Sequence, residues 1–161
     1  MLILLMGVTG SGKTTVGKQL ASALDWPFFD ADDFHSPDNI SKMASGIALT
    51  DEDRRPWLER LHELIEEHAR KQVNIVLACS ALKQSYREML TVDTGQVAII
   101  YLQAQAELIR ERMSRREGHF MPTALLDSQF ESLEEPTDAL TLPAEWSPER
   151  IVMVIRASLG I

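Results

Sequence analysis

The stretch Gly7-Val8-Thr9-Gly10-Ser11-Gly12-Lys13-Thr14 follows the apolar run Leu2–Met6 and precedes a helical pattern. It matches the phosphate-binding loop G-x-x-x-x-G-K-[ST] in its strand-to-helix context. The glycines let backbone N–H groups curl around phosphate oxygens, and the following helix adds partial positive charge at its N-terminus. In such a loop Lys13 is expected to contact the β- and γ-phosphates and Thr14 to bind Mg²⁺. The stretch, with Thr15 after it, therefore predicts a site for ATP or GTP.

Composition narrows the class of protein. The 161 residues are enough for one domain, residues 1–161, with a substantial core. A net charge of −8 leaves no broad cationic surface, so neither nucleic acid nor an anionic membrane is an expected partner. The single cysteine, Cys79, forbids an internal disulfide and fits the cytoplasm, where we expect the protein. Leu2–Met6 lacks the basic residues of a signal peptide, and no apolar run approaches the ~20 residues of a membrane span.

Strand-like and helix-like patterns alternate, which predicts an α/β fold with a parallel sheet covered by helices on both faces. The predicted strands are 2–6, 27–29 ending at Asp30, 74–78, 97–102 and a weak one near 139–142. Predicted helices follow Lys13 and residue 103, cover about 56–71 and 123–133, and begin after the cap Ser147. Pro56 is expected to prevent a helix continuous from Thr50, so residues 50–55 predict a separate turn or a kinked start.

Acidic residues cluster where the second predicted strand ends, at Asp30, Asp32 and Asp33, whereas the third strand ends without a carboxylate. In an extended chain, residues two apart share a side, so Asp30 and Asp32 would face one pocket and Ala31 would face away. We expect Asp30 to bind the metal with Thr14, and Asp32 to accept the proton of an attacking hydroxyl. The alternative is a solvated acidic turn that caps the next segment.

Nearly from end to end, the chain resembles the gluconate kinases (gluconokinases) of the shikimate-kinase-like phosphate-loop family. Besides the phosphate loop, the segments that carry the resemblance are 30–35 (DADDFH), 39–43 (NISKM) with Gly46, 49–54 (LTDEDR) with 56–58 (PWL), 79–83 (CSALK) with 86–87 (YR), 118–121 (GHFM), 125–126 (LL), 128–130 (SQF) and 133–136 (LEEP). Two positions depart from the family's pattern. Ala31 stands where the family usually has Gly, and Ser36 separates His35 from Pro37 where His-Pro is common, a difference that could shift His35.

The resemblance implies ATP-dependent phosphorylation of D-gluconate to 6-phospho-D-gluconate, with ATP and Mg²⁺ bound. It also implies a sheet of five parallel strands in the order 2-3-1-4-5, a lid over the nucleotide and often a homodimer. A mobile lid is predicted at about 114–122, where Gly118 and Pro122 interrupt the periodicity. Arg112, Arg115 and Arg116 lie in or just before it and could stabilise transition-state charge on closure, with Arg116 catalytic and Arg112 and Arg116 on the nucleotide. A solvated basic helix end is the alternative.

Arg54 matches the family's anion-binding arginine, and its planar guanidinium suits a carboxylate. Alternatively, Arg54 could lie on a helix face and pair with a nearby acid such as Asp51 or Asp53. Lys83 and Arg87 lie one turn apart after the third predicted strand and could both face the acceptor pocket. The predicted acceptor-binding residues other than Arg54 could instead be structural histidines or solvated surface cations. The complete predicted acceptor set is Asp32, His35, Lys42, Arg54, Lys83, Arg87, His119 and Gln129.

The same residues argue for or against other functions. A shikimate kinase is disfavoured because that family has a glycine run where Cys79-Ser80-Ala81 stands, and a nucleoside monophosphate kinase by the Asp30-x-Asp32 pair and the block around Trp57. A kinase of another small sugar acid stays open. A nucleotide-binding regulator without turnover also stays open, although the intact Lys13 speaks against it. Cys79 is expected to be a small buried residue and no nucleophile.

Overall fold

The computed structural model describes residues 1–91, 96–114 and 123–161. Its strands are β1 (Leu2–Met6), β2 (Phe28–Asp30), β3 (Ile75–Ala78), β4 (Val97–Gln103) and β5 (Leu140–Pro143). Its helices are α1 (Lys13–Leu24), α2 (Pro37–Ala44), α3 (Asp51–Arg70), α4 (Gln84–Thr91), α5 (Ala106–Ser114), α6 (Thr123–Ser132) and α7 (Pro148–Leu159). A short 3₁₀ helix, Ala31–Phe34, follows β2.

The strands form one parallel sheet in the order β2-β3-β1-β4-β5, which confirms the order implied by the family resemblance. β1 lies in the centre, pairs with β3 and β4, and has the predicted bounds. The predicted bounds of the other four strands differ by only one residue at one or both ends. Because all carboxyl ends of the strands meet at one edge, the loops after β1, β2, β3 and β5 converge there.

Two apolar layers cover the sheet, one on each face, as the alternating pattern predicts. The side chains of β1 alternate between them, with Ile3 and Leu5 in one cluster and Leu2, Leu4 and Met6 in the other. The first cluster contains residues of α1, α5, α6 and α7, and the second contains residues of α3 and α4. β1 is therefore buried on both faces, as a central parallel strand requires.

Helix α1 packs unusually close to the sheet at Gly17. A Cβ atom at this position would lie 2.4 Å from Phe28 Cε2 and 3.1 Å from Leu5 Cδ1. Real Cβ atoms do not approach this closely, so only glycine allows α1 to sit directly on β1 and β2. This contact fixes the start of α1, and with it the phosphate-binding loop, against the sheet edge.

The predicted break before Pro56 is wrong, because α3 is continuous from Asp51 and contains Pro56. Thr50 caps the helix: its hydroxyl accepts from Asp53 N at 3.1 Å, and the Asp53 carboxylate accepts from Thr50 N at 2.9 Å. Pro56 has no N–H group to donate to the carbonyl oxygen of Glu52. Glu52 is exposed in the first turn of α3, so water can donate to this oxygen instead. A proline this close to a well-capped start is tolerated.

Helices α2 and α4 were not predicted from the sequence. Helix α2 begins with Ser36, whose side chain accepts from Asn39 N at 3.2 Å, followed by Pro37 in the first turn. This is the same cap signature that correctly predicted α7 at Ser147 and Pro148. In the part of the chain that the structure describes, no helix is both long and apolar enough to cross a membrane.

Candidate active site

The phosphate-binding loop joins β1 to α1, as predicted, and its backbone depends on glycine. Gly7, Gly10 and Gly12 all have positive φ angles, of 139°, 74° and 102°. A Cβ atom on Gly7 would lie 2.7 Å from the backbone oxygen of Leu102 in β4. A side chain at Gly7 is excluded by both conformation and space, so the loop can form only with this residue.

Lys13 and Ser11 supply the polar groups of the loop. Lys13 Nζ donates to the carbonyl oxygens of Gly7 and Val8, each at 2.9 Å. Burial lowers the pKa of Lys13, although the carboxylates of Asp32 and Asp30 oppose this shift. The Ser11 hydroxyl is buried and has no hydrogen-bond partner among the described residues. A buried ammonium beside an unsatisfied hydroxyl fits an anion with several oxygens, as a triphosphate has.

Thr14 and Asp30, the two predicted metal ligands, are in direct contact. The Thr14 hydroxyl donates to Asp30 Oδ2 at 2.7 Å, and Asp30 Oδ1 accepts from Asp32 N at 3.2 Å. Mg²⁺ prefers oxygen ligands and is usually held by one or two carboxylates together with substrate phosphates. The pair lies at the first turn of α1, next to the loop, so its chemistry and its position both fit such an ion.

Asp32 does not lie on an extended segment, as the sequence analysis assumed, but in the 3₁₀ helix that Asp30 caps. Two-residue alternation is therefore the wrong reason for its position, although Ala31 is fully buried as expected. Asp32 instead turns into a cavity next to Lys13. Burial raises the pKa of the Asp32 carboxyl; the Lys13 charge lowers it, and the neighbouring carboxylates of Asp30 and Asp33 raise it. A carboxylate with a raised pKa is a stronger base.

A cavity of about 110 Å³ connects the phosphate-binding loop with the residues predicted to bind the acceptor. Of the predicted acceptor set, Asp32, His35, Arg54 and Gln129 line it. The complete lining is Thr9, Lys13, Asp32, His35, Met43, Leu49, Arg54, Trp57, Ser80, Leu82, Tyr86, Gln129 and Ser132. The site is thus mixed in character, with apolar walls and a few polar groups, as in typical small-molecule sites.

Arg54 lines the cavity, and the two acids that could have paired with it make closer contacts with lysines. Asp53 accepts from Lys42 Nζ at 2.7 Å, and Asp51 accepts from Lys83 Nζ at 2.8 Å on both oxygens. Arg54 Nη1 lies 4.0 Å from Asp51, at the limit of an ion pair. The alternative of a simple surface pair with Asp51 or Asp53 therefore accounts poorly for Arg54.

Lys42, Lys83 and Arg87 do not line the cavity, in contrast to their predicted direct role. The two lysines form the ion pairs just described, and Arg87 is only 6% exposed, donating to the carbonyl oxygens of Ala81 and Leu82 at 3.0 and 3.1 Å. The one-turn spacing of Lys83 and Arg87 indicated a shared direction, but Arg87 turns back under the loop after β3. It stabilises that loop, in which Ala81 has a positive φ of 43°.

His35 lines the cavity even though Ser36 separates it from Pro37. Ser36 serves as the N-cap of α2. The His35 ring stacks on Trp57 with ring centroids 4.4 Å apart and 11° between planes, and Trp57 Nε1 donates to the Ala31 carbonyl at 2.7 Å. Burial, aided by the Arg54 charge, lowers the pKa of His35 from 6.5 to about 4. His35 Nδ1 is buried without a hydrogen-bond partner in the described part of the chain. His35 therefore lines the cavity as a neutral imidazole.

Helices α5 and α6 contact the phosphate-binding loop from the other side. Arg112 donates to the carbonyl oxygens of Gly10 at 3.3 Å and Ala144 at 2.5 Å, which places this predicted nucleotide-binding residue against the loop. Gln129 Oε1 accepts from Thr9 N at 2.7 Å. The lid was predicted at about 114–122. All of its residues except Ser114, among them Arg116 and His119, lie outside the described residues.

Several lining residues had no assigned role in the sequence analysis, among them Tyr86, Met43, Leu49, Ser80 and Ser132. Tyr86 and Leu49 lie in segments that carry the family resemblance, which was the available signal. Trp57 is both a core residue and part of the cavity wall. Cys79 is buried as expected, and burial raises the pKa of its thiol to about 12, so it is unsuited to be a nucleophile.

Comparison with known proteins agrees with this geometry. Residues 9–140 match the shikimate kinase family. The chain is 49% identical over 133 residues to the thermosensitive gluconokinase of Escherichia coli K12, covering 83% of this chain and 71% of that protein. A sugar kinase from Janibacter sp. HTCC2649 superposes with a TM-score of 0.92 at 44% identity, covering 99% and 94% of the two chains. A gluconokinase from Sinorhizobium meliloti 1021 superposes at 0.86 and 41%, covering 98% and 90%. The chain therefore belongs to the shikimate kinase family and, within it, groups with the gluconokinases.

Proposed function

We propose that this kinase transfers the γ-phosphoryl group of ATP to the 6-hydroxyl of D-gluconate, giving ADP and 6-phospho-D-gluconate. The observation that carries the proposal is Arg54, a cation on the wall of a cavity that also contains Lys13 of the phosphate-binding loop. Both nearby acids are bound to lysines, so the guanidinium is available for the carboxylate of an acceptor. The identity to gluconokinases supports gluconate as that acceptor.

The phosphate-binding loop would hold ATP through its backbone N–H groups, Ser11 and Lys13. Thr14 and Asp30 would hold Mg²⁺, which supplies positive charge that neutralises the phosphate oxygens when bound. Two carbonyl oxygens hold the Lys13 ammonium at the loop, which supports its proposed role of meeting the charge on the phosphate oxygens. Arg112, bound to Gly10 in the same loop, would add a second cation for the nucleotide.

Asp32 would act on the acceptor hydroxyl. It lies on the cavity wall with Lys13, and burial raises its pKa, so its carboxylate can take the hydroxyl proton as the oxygen attacks phosphorus. The new O–P bond forms as the bond to the ADP oxygen breaks, and Lys13 stabilises the charge on the transferring group. The proton ends on Asp32 and is released to water afterwards.

The opposite part of the cavity would orient the sugar acid. Arg54 would bind the carboxylate, and neutral His35 would exchange a hydrogen bond with a hydroxyl of the acceptor. Gln129 joins this wall to the phosphate-binding loop at Thr9. Arg116 and His119 remain proposed contributors from the lid, with Arg116 on the phosphates and His119 on the acceptor.

The test is ADP release measured with gluconate, shikimate, glucose and AMP as acceptors, with Lys13→Ala as the background control. Gluconate should stimulate ADP release far more than the other three, and phosphorus NMR of the product should show a phosphate ester on the terminal methylene. Equal turnover of glucose, which lacks the carboxylate, would contradict the acceptor assignment. ATP binding without turnover of any sugar acid would favour a nucleotide-binding regulator instead.

A further inference from the structure

Four polar side chains meet where α3 begins and the loop after β3 enters α4. The Asp51 carboxylate is their common partner, because Lys83 Nζ lies 2.8 Å from each of its oxygens and the Tyr86 hydroxyl donates to Oδ1. Arg54 Nη1 donates to the Tyr86 hydroxyl at 3.4 Å. Of these four, Arg54 and Tyr86 line the cavity, whereas Asp51 and Lys83 are not among its lining residues.

The direction of these hydrogen bonds follows from the chemistry of the groups. A carboxylate can only accept, so the Tyr86 hydroxyl commits its single proton to Asp51 and presents its oxygen to Arg54. Hydrogen bonds from Lys83 and Tyr86 keep the pKa of Asp51 below its usual range, so the carboxylate stays ionised near neutral pH. Arg54 therefore has a fixed acceptor on the Tyr86 side and can use its other N–H groups elsewhere.

The charges in this group do not cancel. Arg54 and Lys83 are cations, Asp51 is the one anion of the four, and Lys83 makes the close, two-oxygen contact with it. The remaining positive charge resides on Arg54, whose side chain is only 20% exposed, beside Tyr86, which is 8% exposed. A charge-assisted hydrogen bond is stronger in such a partly desolvated position than in water.

We propose that Asp51 and Lys83 are positioning residues for acceptor recognition, which hold the Tyr86 hydroxyl so that Arg54 is oriented toward a carboxylate in the cavity. This rests on the proposed function and restricts its substrates to acceptors with a carboxylate. It also assigns Lys83 an indirect role, through Asp51, in place of the direct contact predicted from the sequence.

The experiment compares Asp51→Asn with Glu52→Gln, measuring KM for gluconate, KM for ATP and kcat. Glu52 is exposed in the same first turn of α3, so its variant removes the same charge without touching the group. Asp51→Asn removes the negative charge that holds the Tyr86 hydroxyl and the Lys83 ammonium, and it should raise KM for gluconate about tenfold, the size of one charge-assisted hydrogen bond, with KM for ATP and kcat unchanged. Glu52→Gln should change none of the three.

Two further measurements separate positioning from a merely structural role. In Asp51→Asn, the preference in kcat/KM for gluconate over D-glucitol, which has no carboxylate, should fall. In a Tyr86→Phe background, adding Asp51→Asn should raise KM for gluconate by less than it does alone, because the shared hydroxyl is already gone.

The proposal is overturned if Asp51→Asn behaves like Glu52→Gln, or if it raises KM for ATP and for gluconate equally. Should Asp51→Asn fail to fold, Lys83→Gln decides, with a smaller rise in KM for gluconate expected and no rise contradicting the proposal. These outcomes can be distinguished from a failure of the proposed function itself. Wild-type protein that turns over no sugar acid would overturn both, whereas normal wild-type turnover with no response to these variants overturns only the positioning role.

Discussion

The candidate site has two halves, the phosphate-binding loop and the cavity wall that faces it, and they are built in different ways. The phosphate side is one contiguous stretch, Gly7–Thr14, whose proposed phosphate-binding groups are largely backbone N–H groups in a loop shaped by glycine. The acceptor side is assembled from single side chains, Asp32, His35, Arg54 and Gln129, that lie up to 97 residues apart in the numbering and come from separate elements. The first half is therefore recognisable as a motif, and the second exists only in the folded chain. Substitutions in the two halves should also have different kinetic effects.

The largest effect is expected on the phosphate side, from Lys13→Ala. Loss of one cation from the transferring phosphoryl group should reduce kcat ~10²–10³-fold. Gluconate turnover measures the loss, and circular dichroism like that of the wild type shows that the fold is retained. A folded Lys13→Ala variant with full activity would remove Lys13 from the mechanism and break the distinction between the two halves.

Asp30 and Asp32 lie where the two halves meet, and their Asn variants should differ. Asp30→Asn weakens the Thr14 pair and should raise the Mg²⁺ concentration needed for half-maximal rate. Asp32→Asn removes the base and should lower kcat about 10²-fold at saturating Mg²⁺. Rate is measured against Mg²⁺ concentration for both variants, and coincident titration curves would show that the two carboxylates do not divide these roles.

On the acceptor side, Arg54→Ala should reduce kcat/KM for gluconate about 10- to 100-fold, mainly through KM, because a charged hydrogen-bond partner of the carboxylate is lost. Arg54→Lys should recover part of this, since lysine keeps the charge without the planar fork. Arg55→Ala is the matched control, because Arg55 is the next residue of α3 and is exposed. A similar loss in Arg55→Ala would indicate a general effect of charge on α3.

The smallest effect concerns the pH dependence of stability at His35. In the unfolded chain its pKa is near 6.5, and in the folded protein it is about 4, so between these values the unfolded state binds more protons. His35 should therefore contribute its full stabilisation above pH 6.5 and lose it as the pH falls toward 4. The free energy of unfolding in urea, compared between wild type and His35→Gln at about pH 7.5 and about pH 5, measures this contribution. A difference independent of pH would show that His35 titrates normally in the fold.

Much of the fold was predictable because its signals are local. Apolar runs gave the strands to within a residue or so at each end, and Ser147 with Pro148 marked α7. The start of α3 was mispredicted because Pro56 was weighed without the Thr50 cap that stabilises the first turn. Helix α2 was missed although Ser36 and Pro37 carry the same capping signal as Ser147 and Pro148 of α7. Ser36 was interpreted only as a departure from the family's His-Pro pattern and not as a helix cap.

The residues of the candidate site also differ in how far local sequence signals could predict them. The phosphate-binding loop was predicted from its own residues, whereas Arg54 and His35 were assigned to the acceptor by family resemblance. Lys42 was assigned to the acceptor as well, and Arg87 was assigned by its one-turn spacing from Lys83. Lys42 nevertheless pairs with Asp53, and Arg87 is buried under the loop after β3. Helical spacing shows which side chains share a face, but the packing partner of that face is decided by distant parts of the chain. Sequence alone could not separate Arg54 from these two cations.

The most direct test of the division is calorimetric titration of wild type, Lys13→Ala and Arg54→Ala with gluconate and, separately, with a non-hydrolysable ATP analogue. We predict that Lys13→Ala binds gluconate like the wild type but loses affinity for the nucleotide, and that Arg54→Ala shows the reverse. Equal loss of both ligands in both variants, or wild-type protein that does not bind gluconate, would contradict the account.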